Sequence, residues 1–128
     1  MKLAICARGK GLKAEVDQRF GRCPYFVVVD TESKEVLQSV ENEGVSAAGG
    51  AGPQAAQALA RLGVEAVILG NVGPKAITAL EAASIKVYSG VEGTVENTLK
   101  KYNDQVLTLV SGATVQSHSG MNDKKGGN

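Results

Sequence analysis

Residues 52–88 read GPQAAQALARLGVEAVILGNVGPKAITALEAASIKVY, and this stretch contains one unit twice. Gly52-Pro53 recurs as Gly73-Pro74, and the pairs Ala55/Ala76, Ala58/Ala79, Leu59/Leu80 and Val64/Ile85 keep the same spacing of 21 residues. Each copy places proline where a first helical residue would stand, where its missing N–H costs nothing. Ala55, Leu59 and Leu62 then recur at helical spacing until Gly63 stops the pattern; Ile77, Leu80 and Ala83 do the same in the second copy. Each helix leads into a short apolar run, Ala66–Leu69 and Ile85–Tyr88, which reads as a strand. Two copies are too few for a solenoid. They predict successive α/β units feeding adjacent parallel strands through right-handed crossovers.

Upstream, Leu3–Ala7 and Tyr25–Asp30 are nearly continuous apolar runs, the pattern of strands covered on both faces. Val36–Val40 alternates apolar and polar residues and suits an edge strand. The polar turn Thr31–Glu35 makes it a hairpin with Tyr25–Asp30. Downstream, a third helix is expected from Thr94, with Val95, Leu99 and Tyr102 on one stripe. Glu96 lies early in it and Lys100 and Lys101 late, matching the helix dipole. The predicted fold class is α/β, in the order β-β-β-α-β-α-β-α, with a hairpin on one side of a mixed sheet and parallel strands on the other. Residues 1–110 are expected to form a single domain. Residues 111–128, rich in Ser, Gly, Lys and Asn, are expected to form a flexible polar tail.

The chain has 128 residues and a mass of 13.2 kDa. A chain of this mass buries about two-thirds of its surface, enough for one core. Fourteen Lys and Arg against thirteen Asp and Glu give a net charge of +1, which argues against a nucleic-acid coat. The longest apolar runs span five residues, far below the ~20 of a membrane span. Arg8 interrupts the first run too early for a signal peptide. A cytoplasmic, monomeric protein with no membrane or nucleic-acid partner is expected.

Several catalytic classes are poorly served. The single histidine, His118, lies in the tail, so no Cys–His or Ser–His pair stands on rigid elements. The first strand carries no acid, against a two-metal hydrolase. Gly50-Ala51-Gly52-Pro53-Gln54-Ala55 imitates a dinucleotide fingerprint. However, Asn42–Ala48 separates it from the preceding strand, and Leu69, Gly70 and Asn71 stand where the acidic ribose partner belongs. What remains is an anion site: glycines beside a helix start expose backbone N–H donors.

The segment Arg8–Arg22 concentrates cations, with Arg8, Lys10, Lys13, Arg19 and Arg22 against Glu15 and Asp17. Such a segment is either a solvated loop or a docking site for a small, highly charged anion. Cys23 follows directly, and neighbouring cations favour its thiolate, the form that ligates soft metals. Cys6, inside an apolar strand, reads as a packing residue.

Four motifs carry a family resemblance. They are Val16-Asp17-Gln18-Arg19-Phe20-Gly21-Arg22-Cys23-Pro24-Tyr25-Phe26, Gly49-Gly50-Ala51-Gly52, Gly70-Asn71-Val72-Gly73-Pro74, and Gly90 followed by Gly93-Thr94-Val95. In this order and spacing, over residues 1 to about 110, the chain resembles the dinitrogenase iron–molybdenum cofactor biosynthesis family. The resemblance implies a ribonuclease-H-like three-layer α/β/α fold with a five-stranded mixed sheet. It also implies a non-catalytic carrier or scaffold for an anionic metal–sulfur cluster. In one branch, the orange proteins of sulfate reducers, a molybdenum–copper sulfide cluster is held non-covalently.

Members tied to nitrogenase often carry histidine where this chain has Arg19. Arginine has no free lone pair for a metal, so its contribution here would be charge. The expected cluster-binding residues are Arg19, Arg22, Cys23, Gly49, Gly50, Gly52 and Asn71, with Cys23 and His118 as candidate metal ligands. The expected cargo is a cluster of molybdenum or iron, with copper as a further constituent, passed to or from cluster-assembly or acceptor proteins. The competing reading is a partner-binding or regulatory module of a metal or iron–sulfur pathway that holds no cluster of its own.

Overall fold

Leu3, Ala4, Ile5, Cys6 and Ala7 are all completely buried, because the strand they form lies inside the sheet. The computed structural model describes residues 1–42 and 51–110. It shows β1 (Lys2–Ala7), β2 (Tyr25–Asp30), β3 (Val36–Glu41), α1 (Ala51–Arg61), β4 (Ala66–Leu69), α2 (Pro74–Ala82), β5 (Lys86–Ser89), α3 (Val95–Asn103) and β6 (Thr108–Leu109). The strands form one mixed sheet in the order β3-β2-β1-β4-β5-β6. β1 pairs antiparallel with β2 and parallel with β4, and β4 pairs parallel with β5. The hairpin therefore lies on one side of β1 and the repeated α/β units on the other, as the two Gly-Pro units predict.

Successive side chains of a strand point to opposite faces, and two apolar layers follow. On one face Ala4, Cys6, Phe26, Val28, Val67 and Leu69 meet Ala55, Leu59, Ile77 and Leu80 of α1 and α2. On the other Leu3, Ile5, Val27, Val29, Ala66 and Ile68 meet Val95 and Leu99 of α3. The result is three layers. β3 is an edge strand and only half-buried, as its alternation predicts.

The sheet has six strands where five were expected. The sixth spans two exposed residues and pairs antiparallel with β5. A two-residue strand leaves no periodicity to read. α1 begins at Ala51, two residues before Pro53, so this proline stands third in the helix, still among the residues whose N–H has no helical partner. α2 begins at Pro74 itself, and α3 follows Thr94, whose hydroxyl accepts from the Asn97 N–H in a capping box. Gly49, Gly50, His118, the tail from 111 and most of the Asn42–Ala48 loop lie outside the described residues. Among the described residues no helix is long and apolar enough to cross a membrane.

Candidate functional site

β1, β4 and β5 run parallel, so their C-terminal ends share one edge of the sheet, where open α/β sheets bind ligands. The connection from β1 to β2, residues 8–24, crosses this edge and is stitched to each strand end. The Asp17 N–H donates to the Cys6 carbonyl at 2.9 Å, and the Asn71 N–H after β4 donates to the Gln18 carbonyl at 2.6 Å. The Phe20 N–H returns a bond to the Asn71 carbonyl at 3.2 Å, and the Gln18 side-chain amide reaches the Val91 carbonyl after β5 at 3.0 Å. Arg19 and Asn71, named separately from the sequence, are thus brought side by side as a parallel bridge.

Asp17 sets the shape of this crossing. Its carboxylate is 1% exposed and accepts from the Arg19 N–H (2.9 Å), Nε (3.0 Å) and Nη2 (2.9 Å), while Arg8 Nε lies 3.9 Å away. The Arg19 hydrogen bonds hold its carboxyl below the usual carboxylate range against the opposing pull of burial. The Arg19 carbonyl accepts from the N–H groups of Arg22 and Cys23, closing a tight turn. Buried Asn42 pins that turn from below, donating to the carbonyls of Gly21 (3.2 Å) and Cys23 (2.9 Å).

The turn presents Phe20 and Arg22 to a groove of about 380 Å³ at the start of both α1 and α2, completed by Gly52, Pro53, Gly73, Pro74, Lys75 and Ala76. The helices approach closely here: a Cβ on Gly52 would lie 2.8 Å from that of Ala76. Neither helix has an acid in its first turn, and Gly73, the N-cap of α2, offers no side-chain cap. Two positive helix ends therefore converge beside Arg22 and Lys75. Other grooves differ in charge. One of about 320 Å³ sets Arg61 against Glu41; one of about 300 Å³ balances Lys34 and Lys100 with Glu96 and Asp104; one of about 400 Å³ has no charged lining. Among the described residues, the charged side chains that line the groove at the two helix starts, Arg22 and Lys75, are both cations.

The expected residues divide. Arg22 and Gly52 line the groove, and Lys75, which the sequence reading passed over, lines it too. Arg19 sits next to the groove, but its guanidinium is engaged by Asp17. Cys23 is completely buried in the cluster with Phe20, Phe26 and Cys6, so its sulfur does not reach the cationic surface. Lys13 pairs with Glu96 at 2.8 Å, and Lys10 lies over the Tyr25 ring, which thins the field of the 8–22 segment. Among the described residues no three His, Cys, Asp or Glu side chains gather as a metal site. An anion in this groove would be held by charge and by backbone amides. Gly52→Ala, which must push Ala76 away, should cost about 1–2 kcal/mol in a denaturant melt; a wild-type midpoint would mean that the helices part freely.

A three-layer α/β sheet protein with a cationic groove at paired helix starts is the class that fold and site define. The family model for dinitrogenase iron-molybdenum cofactor matches residues 1–105, and the chain belongs to that family. The apo form of the orange protein from Desulfovibrio gigas is 40% identical, with a TM-score of 0.84 over 89% of this chain and 96% of that one. A putative NifB protein from Thermotoga is 38% identical, with a TM-score of 0.75 over 93% of this chain and 98% of the other. An uncharacterized protein of Methanocaldococcus jannaschii is 32% identical over 85 residues, 65% of this chain and 72% of its own.

Proposed function

We propose that the chain is a carrier for an anionic metal–sulfur cluster of the iron–molybdenum cofactor type, held in the groove between the starts of α1 and α2. The observation that carries this reading is the convergence of two acid-free helix starts with Arg22 and Lys75 around one groove. Sulfide clusters are polyanionic, and each helix start favours nearby negative charge by about 0.3–1 kcal/mol. Membership of the cofactor family and the likeness to the orange protein support the same cargo. The β3-β2-β1-β4-β5 order also supports the ribonuclease-H-like reading of the fold. With both thiols buried, we read the hold as electrostatic, a carrier's grip that can be released, with no catalytic step.

The test is anaerobic reconstitution with tetrathiomolybdate and either ferrous or cuprous ion, followed by gel filtration with metal and sulfide analysis. Replacing Arg22 and Lys75 together with Ala should reduce retention at low salt at least tenfold and flatten its salt dependence, because charge attraction is screened over about 8 Å at physiological ionic strength. Stability should shift by no more than about 0.5 kcal/mol. Equal retention by wild type and variant would place the cargo elsewhere. No cluster on the wild type would favour the partner-binding module.

A further inference from the structure

The uncharged groove lies on the other helical layer, where the end of α3 meets β5. Its volume is about 400 Å³, within the range of small-molecule sites, and Tyr88, Tyr102, Asn103, Gln105 and Leu107 line it. Four of these residues are fixed by contacts of their own. The Tyr88 and Tyr102 rings, both half-buried, meet edge to face with centroids 5.3 Å apart and an interplanar angle of 89°. The Tyr102 hydroxyl donates to the Met1 sulfur at 3.7 Å. The Asn103 side-chain amide donates to the Thr31 carbonyl at 3.2 Å, which orients its carboxamide. Leu107 lies against the end of β5, since a Cβ on Gly90 would stand 2.8 Å from its Cδ2.

Gln105 is the fifth. α3 closes through two hydrogen bonds, from the Gln105 N–H to the Tyr102 carbonyl at 3.0 Å and from the Val106 N–H to the Lys101 carbonyl at 3.2 Å. This closure sets Gln105 at φ 61°, a left-handed position that favours glycine. After α1 and α2 the left-handed residues are Gly63 and Ser84, both small. After α3 the chain instead holds a long carboxamide there, at a conformational cost, and that carboxamide lines the groove.

We propose that this groove binds a neutral, planar heteroaromatic ring of the nucleobase type. A carboxamide pairs a donor with an acceptor, as the polar edge of a nucleobase does, and tyrosine rings stack on a base face. Asn103 and Gln105 would read the edge while Tyr88 and Tyr102 take the face. A phosphate or a sulfide cluster finds no cation in this lining. The site is therefore separate from the cationic groove of α1 and α2, and it does not depend on the carrier reading.

The experiment adds adenosine, as the probe, to the isotope-labelled full-length chain and follows the amide shifts together with the adenine ring protons. The expected result is saturable shifts confined to residues 86–90 and 101–109, with the adenine protons moving upfield as stacking on tyrosine requires. Glucose should cause no shifts, and AMP should bind no more tightly than adenosine. Gln105→Gly removes the strained side chain, so it should raise the urea midpoint while weakening adenosine about fivefold or more. A purely structural role would not move stability and affinity in opposite directions. No saturable shift, shifts centred on the cationic groove, binding of AMP alone, equal binding of glucose, or unchanged adenosine affinity in Gln105→Gly would each overturn the proposal.

Discussion

Gly70→Ala should destabilise the chain by about 3 kcal/mol, with a matching fall in the denaturant midpoint and little change in slope. Gly70 follows β4 directly, where the 8–24 segment crosses. A Cβ there would lie 2.7 Å from the Gln18 carbonyl oxygen and 2.9 Å from its Cα, and would run into the Gln18 side-chain oxygen as well. A side chain can swing aside, but these backbone atoms are held by the Asn71–Gln18 and Phe20–Asn71 hydrogen bonds and cannot. The crossing must lift, which breaks both bonds and carries Phe20 and Arg22 away from the groove. Gly73→Ala is the control: its Cβ meets nothing within 4 Å and its φ is −84°, so the change should stay within about 1 kcal/mol. If Gly70→Ala melts like Gly73→Ala, the segment is not locked to the edge.

This contact shows where sequence reading ends. The Gly-Pro repeat and the apolar runs gave away the strand order around β1, because burial on both faces writes itself as unbroken hydrophobicity. Family motifs marked Gly70, Asn71 and residues 16–23, and these do meet at one edge. Which charges would remain available was not legible. Asp17 and Arg19 stand two apart in sequence, and only the fold buries one and leaves the other 62% exposed. Lys75 carries no mark in the sequence, and it joins the groove because α1 packs beside α2 through the small contact of Gly52 with Ala76. Cys23 sits among cations in sequence, yet the turn at residues 19–23 rotates it into the core. The two-residue β6 is specified by β5's open edge and leaves no pattern of its own.

Arg19→Ala should lower the urea midpoint clearly at neutral pH, although exposed arginines usually contribute little. The sequence alone predicts almost no effect on folding. The structure reverses this, because the cost falls on Asp17. Without the guanidinium, a carboxylate with 1% exposure keeps, among the described residues, the residue 19 backbone N–H and the more distant Arg8. The sign of the pH dependence follows. In the wild type the Asp17 carboxyl is held low, so its contribution to stability is present above the unfolded value of about 3.9 and is lost as pH falls below it. In the variant burial dominates, the carboxyl titrates higher, and protonation relieves the strain as the pH drops. The stability gap between the two proteins should therefore be largest near pH 7 and should shrink steadily below about pH 4, read by urea melts across that range. Arg19→Lys should recover only part of the loss, since an ammonium cannot fill both carboxylate oxygens as the fork does. A gap that stays constant from pH 7 to 3 would show that Arg19 acts through packing and that Asp17 finds its partners elsewhere. The double change Arg22→Ala with Lys75→Ala should have the opposite profile: cargo retention falls while the acid limb of the stability curve stays in place. Experiment would then separate Arg19, which holds the crossing segment through Asp17, from Arg22 and Lys75, which line the groove.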